Sequence, residues 1–254
     1  GTVAGCQTTG SKDNSNLIGA GLGAAVGGLL GSQIGGGKGR IFAALGGALI
    51  GALVGTKIAE YLSEQDQATL AENTQATALT GEKKVWSNPD TGVSGVTEVK
   101  QETKTKKTAK VRVLKDRVEK TPPIDFINAV YVAEKTSNVR GGPSTDFKVV
   151  DKISAGKEVT VLGKVVDENW YMISEEGVGS GYIYGPLLKK AEGVAPPAAP
   201  ETGASKIAPS DIVEVTVPGG ETCRIVSQKV VLKDGSEKTS EVTTCNGPNG
   251  WQVV

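Results

Sequence analysis

The chain has 254 residues, and its 28 basic side chains equal its 28 acidic ones, so its formal net charge is zero. This balance gives no overall indication of nucleic-acid binding, and an aromatic content of 4% argues against one large globular enzyme. The chain has no histidine, which excludes Ser-His-Asp and Cys-His catalysis and most zinc sites. The three cysteines, Cys6, Cys223 and Cys245, are too widely spaced for a metal cluster. We therefore expect several domains, no enzyme active site, no metal and no organic cofactor.

The first residues contain the run Val3-Ala4-Gly5-Cys6, which resembles the end of a bacterial lipoprotein signal peptide. The resemblance implies that residues 1–5 are the remainder of a signal peptide, and that Cys6 carries a diacylglycerol and an N-acyl chain. Residues 6–16 then form a polar tether. Gln7 follows the cysteine, and by resemblance to the bacterial sorting rule this favours the outer membrane. The alternative is an incidental or buried cysteine in a disordered tail.

Residues 17–60 are apolar and rich in glycine, a residue that costs about 1 kcal/mol relative to alanine in a helix interior. Such a composition is favoured when two helices pack backbone to backbone in a bilayer. We therefore expect a transmembrane helical hairpin, with Lys38 and Arg40 at its apex contacting headgroups or lipopolysaccharide. The alternatives are a soluble helical pair or a low-complexity linker. Small residues recur every four positions, and the predicted helix-packing glycines are Gly19, Gly23, Gly27, Gly31, Gly35, Gly47, Gly51 and Gly55.

Both ends of the chain resemble the glycine-zipper two-helix family of outer-membrane lipoproteins, which includes the rickettsial seventeen-kilodalton surface antigen. The glycine series is followed by "KIAEYLSEQDQATL" and "VWSNPDTG", and the end of the chain reads "ETCRIVSQKVVLKDGSEKTSEVTTCNGPNGWQVV". In the first of these segments, Ser63 and Asp66 are spaced as a helix-capping box. The resemblance implies a small β-domain outside the membrane.

This β-domain is predicted to be split between residues 61–121, which include a helix, and residues 210–254. Short strands are expected around Val85 to Val99, at 110–113, at 213–217, at 223–232, at 237–245 and at 251–254. Asp234-Gly235 is a strong tight-turn signal. A hairpin folded there places Cys223 opposite Cys245, or one step from it, which predicts a disulfide. The alternative is a pair of free buried thiols.

The middle of the chain, residues 124–190, contains short β-rich runs separated by glycine turns, which is typical of a small barrel. The run from Asn138 to Ser144 resembles the opening signature of bacterial Src-homology-3 (SH3) domains, and "ISAGKEVTVLG", "NWYMI" and "GYIYGPLL" match later strands. Residues 191–209 form a Pro/Ala linker back to the β-domain. The resemblance implies a groove that binds a peptide or protein, with the candidate residues Tyr131, Asn138, Arg140, Trp170 and Tyr182. Trp170 and Tyr182 are alternatively core residues, and Arg140 alternatively braces its own turn.

These observations together predict a membrane-anchored α+β protein with a two-helix transmembrane hairpin, a small split antiparallel β-domain with a disulfide, and an inserted SH3-like barrel. We expect a structural lipoprotein of the bacterial outer membrane, with periplasmic soluble domains, that supports envelope integrity or assembles with other membrane proteins. Its expected partners are membrane lipid or lipopolysaccharide, further copies of itself and other membrane proteins, but not nucleic acid. The alternative function is a module that binds peptidoglycan and tethers it to the membrane. A basic run between Lys100 and Lys120 is interpreted as a solvated strand rather than a surface for anionic polymers.

Overall fold

The computed structural model describes residues 53–192, 194, 196–197 and 205–254. The predictions for Cys6, Lys38 and Arg40 lie outside these residues, as do those for all of the predicted zipper glycines except Gly55.

Two helices open the described part of the chain. Helix α1 covers Thr56–Ala59, and helix α2 covers Glu64–Thr80. Ser63 caps α2, because the Asp66 N–H donates to Ser63 Oγ at 3.1 Å. The Asp66 carboxylate accepts from the Ser63 hydroxyl at 2.7 Å, whereas a full capping box would use the Ser63 backbone N–H. The helix ends at Gly81, whose φ of +78° suits a residue without a side chain. Among the described residues, neither helix has the length and hydropathy that a bilayer-spanning segment requires.

The other described elements are twelve strands, which all join one mixed sheet, and two short 3-10 helices, Gly185–Leu187 and Pro209–Asp211. Their bounds are β1 Lys84–Asn88, β2 Val93–Leu114, β3 Ile124–Ala133, β4 Ser137–Arg140, β5 Val149–Ile153, β6 Glu158–Val165, β7 Trp170–Glu175, β8 Val178–Tyr184, β9 Leu188–Lys190, β10 Ile212–Val231, β11 Glu237–Gly247 and β12 Gly250–Val253.

The two longest strands, β2 and β10, pair antiparallel along almost their whole length, from Leu114 opposite Ile212 to Ser94 opposite Val231. The pairing shifts once, where Ile225 faces Gln101 and Val226 faces Val99, so that Lys100 is an extra residue in β2. Such a bulge bends a strand and changes which face its later side chains point to. The strand predicted to end at Val99 and the one predicted at 110–113 are therefore parts of β2, and those predicted at 213–217 and 223–232 are parts of β10, whereas those predicted at 237–245 and 251–254 correspond to β11 and β12.

The β2–β10 pair buries a different face at each of its ends. Toward one end, Val226 and Val230 of β10 are buried. Val230 packs under the helices in a helix-side core of Leu53, Val54, Ile58, Leu62, Leu70, Ala71, Trp86, Val93, Val230, Val242 and Trp251. Toward the other end, Val217 is buried against the inserted unit. Because side chains alternate along a strand, residues 217 and 226 point to opposite faces of β10. One ribbon thus serves two cores.

The inserted unit and the ribbon close into a ring of six strands, in the order β2, β10, β3, β6, β7 and β8. Two parallel contacts close the ring, Gly219 opposite Ile124 and Val113 opposite Gly179. A Cβ on Gly219 would overlap the Phe126 ring, so glycine allows this approach of β10 to β3. All six strands contribute to a ring core of Ala109, Val111, Val113, Ile124, Phe126, Leu162, Val165, Met172, Tyr182 and Val217.

The strands of the inserted unit cover a further core with the face that points away from the ring core. This barrel core consists of Tyr131, Ala133, Val139, Ile153, Val159, Val161, Ile173, Ile183 and Leu188. Neighbouring residues alternate between the two cores, as Met172 and Ile173 do on β7. The inserted barrel therefore shares a buried face with the ribbon.

The predicted fold class is wrong. The described chain is mostly strand in one 12-stranded mixed sheet, in place of two separate small β units. Its described α-helices are the two above, and neither is long and apolar enough to span a membrane. The physical reason is that the long β2–β10 pairing and the parallel ring contacts join elements that are distant in sequence. Most of the predicted 17–60 hairpin lies outside the described residues, and its last residues form α1.

Buried amide side chains connect the units further. Asn128 of β3 donates to Asn246 Oδ1 at 2.7 Å and to the Gly247 carbonyl at 2.8 Å, and Asn246 Nδ2 donates to the Ile127 carbonyl at 3.0 Å. Gln228 is fully buried, donates to Thr74 Oγ1 at 2.7 Å and to the Leu53 carbonyl, and accepts the Gly55 N–H at 3.3 Å. Losing one member of such a network costs about 1–3 kcal/mol, because its buried partners keep no hydrogen bond.

The disulfide predicted from the Asp234-Gly235 turn is present. Strands β10 and β11 pair in the register that this turn sets, which places Cys223 directly opposite Cys245, and the two are bonded. Their separation of 22 residues closes a loop in the unfolded chain.

We expect reduction of this bond to lower the free energy of unfolding by about 3 kcal/mol, because the bond restricts the unfolded chain. Urea unfolding, followed by tryptophan fluorescence with and without reductant, measures the difference. The variant Cys223→Ser/Cys245→Ser should match the reduced protein and be insensitive to reductant. Equal stability of oxidised and reduced protein would contradict the expectation.

Candidate functional site

The candidate site is an open groove on the inserted barrel. Its volume is about 570 Å³, and it lies between the start of β4, the loop after β4, the start of β7 and the end of β8. Its lining residues are Thr136, Ser137, Asn138, Arg140, Ser144, Thr145, Trp170, Tyr184 and Leu187.

One wall of the groove is aromatic. Trp170 on β7 faces Tyr184 on β8 in the antiparallel register, and their ring centroids are 5.7 Å apart at an interplanar angle of 62°. Tyr184 remains 41% exposed, because the chain turns at Gly185, whose N–H donates to the Asn169 carbonyl at 2.7 Å. The turn holds Leu187 beside the rings. An exposed edge-to-face pair of this kind offers a flat apolar surface with a polar hydroxyl at its end.

The other wall is polar and belongs to the SH3-like motif. Arg140 Nη1 donates to the carbonyls of Thr145 and Phe147, both at 2.8 Å, so the guanidinium braces its own loop. Ser144 Oγ donates to Asp146 Oδ2 at 2.8 Å in the same loop. Asn138 is exposed, and its side-chain amide makes no hydrogen bond to another described residue. That amide is therefore available to a ligand as both donor and acceptor.

The structure places three of the five predicted groove residues together and the other two in cores. Asn138, Arg140 and Trp170 line the groove. Tyr131 belongs to the barrel core and packs on Tyr171 with ring centroids 5.4 Å apart. Tyr182 belongs to the ring core, is fully buried, and donates its hydroxyl to the Lys120 carbonyl at 2.8 Å.

The pKa values of Tyr131 and Tyr182 are both raised, as expected for buried tyrosines. Burial raises the pKa of Tyr131 to about 12, with a smaller contribution from Tyr171. Burial also raises the pKa of Tyr182, because the charged phenolate would lose its hydration. Both side chains are thus neutral structural groups.

Sequence reasoning missed Tyr184, the most exposed aromatic residue of the groove. The segment "GYIYGPLL" contains two tyrosines, and the Gly-Pro turn directly after the second one was the available signal. A residue at the end of a strand, next to a turn, is more often open to ligands than one in the middle of the strand.

The remaining predicted residues lie away from this groove. Gly55 precedes α1, and a Cβ at this position would overlap the Ser240 side chain of β11, so its small size allows contact with the sheet. Cys223 and Cys245 bridge β10 and β11. Over the described ranges, no cluster of acidic residues and cysteines has the arrangement of a metal site.

The groove is suited to holding a short extended ligand. Its lining offers two aromatic rings, hydroxyl groups, one free amide and an arginine whose charge is directed to its own loop. An aromatic surface beside an amide can receive an apolar side chain and a backbone peptide group together.

Comparison with known families identifies two parts of the chain. Residues 18–59 match the family described as a glycine zipper 2TM domain, and residues 135–189 match the family described as a bacterial SH3 domain. No curated protein gives a significant sequence match to the chain. The two matches confirm the resemblances drawn from the glycine series and from the Asn138 to Ser144 motif. Over these two ranges the chain is therefore similar to a membrane-associated glycine-zipper family and to bacterial SH3 domains, which commonly bind cell wall or protein.

Proposed function

We propose that the protein is a lipoprotein of the bacterial outer membrane, with its β region in the periplasm, that holds an envelope protein to the membrane through the SH3 groove. The observation that carries this proposal is the open groove formed by Trp170, Tyr184 and Asn138. The glycine-zipper match supports the membrane location, and the SH3 match supports a binding role.

The protein acts by binding in this proposal. The groove lining consists of aromatic, hydroxyl, amide and aliphatic groups with one arginine. General acid–base catalysis needs a group that titrates near the working pH, such as a histidine or a perturbed carboxyl. None of the lining groups is of that kind.

The fold gives such a binding site a structural use. The groove belongs to a barrel that shares the ring core with the ribbon, and the ribbon carries the residues that follow the glycine zipper. A force on a ligand bound in the groove is therefore transmitted through the paired strands to the residues that follow the glycine zipper. Lipid on Cys6 and contacts between copies through the glycine series complete the proposed partners.

A second candidate ligand is the peptide part of peptidoglycan, and the SH3 match is the observation that favours it. The protein would then tether the membrane to the cell wall. Both candidates use the same groove, so binding to purified peptidoglycan distinguishes them.

Replacing Tyr184 with alanine should weaken ligand binding about tenfold, because exposed aromatic residues at the centre of an interface contribute most to affinity. Asn138→Ala should have a smaller effect in the same direction. A photo-reactive residue at position 184 should cross-link one envelope protein in cells, and purified peptidoglycan should not sediment the protein.

The matched control is Val149→Ala, because Val149 is 44% exposed on β5 and does not line the groove. All three variants should unfold at the temperature of the parent. Sedimentation with peptidoglycan that depends on Tyr184 would instead establish the tether. Binding of either ligand that is unchanged in Tyr184→Ala would contradict the groove assignment.

The lipid assignment predicts that the mature protein is heavier than its polypeptide by a diacylglycerol and an acyl group on Cys6. Intact mass spectrometry of protein purified from membranes measures this difference. Cys6→Ser should remove the added mass and leave the fold unchanged, since Cys223 and Cys245 form the disulfide. An unmodified Cys6 at the mature terminus would refute the assignment.

A further inference from the structure

Strand β2 has one edge that is largely unpaired. One edge of β2 is bonded to β10 along its length. On the opposite edge, β1 pairs only with residues 93–97 and β8 pairs only with Val113. No described residue pairs with positions 98–112 here. The sheet therefore has a gap of fifteen positions between β1 and β8, which corresponds to about 50 Å of strand.

This gap is open to solvent in the described part of the molecule. Residues 100–104 and 106–108 are all exposed, and no proline interrupts the strand. An unpaired strand edge presents a row of N–H and C=O groups that can bond to another strand. Native sheets usually shorten, cover, charge or interrupt such an edge. Here the edge is charged, but it is long and continues without a further register shift from the bulge at Lys100 to residue 112.

The gap is strongly basic. It contains two glutamates, five lysines and one arginine. Three of the lysines form ion pairs: Lys100 with Glu241, Lys107 with Glu221 and Lys110 with Glu214. No ion pair to another described residue involves Lys104, Lys106 or Arg112. These three residues are separated by even numbers of positions, and all of them follow the bulge at Lys100. Because side chains alternate along a strand, their side chains point to the same face of β2.

This charge pattern disfavours a second copy of the chain as the added strand. Antiparallel pairing of two copies over the whole gap would place Lys104 opposite Lys106 and Lys100 opposite Lys110. Like charges directly opposite each other destabilise a strand pair, and opposite charges stabilise it. The matching strand has acidic side chains at alternate positions.

We propose that the gap between β1 and β8 binds an extended acidic peptide segment, which adds to the sheet as a strand beside β2. Backbone hydrogen bonds to β2 hold the segment, and Lys104, Lys106 and Arg112 select its alternate carboxylates. This site is separate from the SH3 groove and does not depend on the function proposed for it.

The test uses the full-length protein in detergent micelles and a synthetic peptide of about nine residues, a usual strand length, in which Glu and Thr alternate. Hydrogen exchange should show new protection of amides within 98–112 when the peptide is added. A peptide of equal charge with proline in place of each threonine should give neither protection nor comparable affinity, because it lacks half of the N–H donors.

The variant Lys104→Glu/Lys106→Glu should weaken peptide binding about tenfold, since two attractive cross-strand pairs become repulsive. The matched control is Lys148→Glu/Lys152→Glu, which reverses two exposed lysines of the SH3 unit and should bind the peptide like the parent.

Three results would overturn the proposal. Equal binding of the proline peptide would show attraction by charge alone. Protection, before any peptide is added, of those amides in 98–112 that point away from β10 would show that the chain covers its own edge. Binding to phosphatidylglycerol vesicles that depends on Lys104 and Lys106, without peptide-induced protection, would assign the basic strand to a lipid surface.

Discussion

The pairing of β2 with β10 is the interaction on which the rest of this structure depends. It joins residues that follow the helices to residues near the end of the chain, and the inserted barrel lies between them in sequence. Closing so large a loop is entropically costly, and the cost is offset by a long ladder of hydrogen bonds and by burial at both ends of the ribbon. The disulfide and the buried amide pair of Asn128 and Asn246 reinforce this closure.

The bulge at Lys100 explains how one ribbon supports two cores. Before it, residues of β2 such as Val93 contribute to the helix-side core, and after it Val111 and Val113 contribute to the ring core. Between β1 and β8, no described strand pairs with this edge of β2. The open basic edge thus belongs to the same ribbon that packs against the SH3 barrel.

The parts of the fold that local signals control were predictable from sequence. Ser63 and Asp66 cap α2, Asp234-Gly235 sets the hairpin that pairs the cysteines, and the Asn138 motif marks the barrel. Each of these depends on residues that are close in sequence.

The parts that depend on distant contacts were not predictable. The strand predicted to end at Val99 and the one predicted at 110–113 are one continuous strand, and those predicted at 213–217 and 223–232 are another, although Pro218 and two glycines lie within it. The second buried face of the barrel sheet needs the ribbon as its partner, so the burial of Tyr182 depends on residues far from it in sequence, whereas the Gly-Pro turn after Tyr184 is a local signal of exposure. Arg140, by contrast, donates to carbonyls of its own loop, which was one of the two alternatives for this residue.

The central claim is that ribbon, helices and inserted barrel form one cooperative unit through β2–β10 pairing. Native-state hydrogen exchange across a series of urea concentrations tests it most directly, because it gives an opening free energy for each protected amide. The account predicts that amides of β6 and β7 in the barrel and of β10 and β11 in the ribbon merge into one opening reaction with the global free energy of unfolding. A ribbon that opens at markedly lower free energy, while β6 and β7 stay protected, would contradict it.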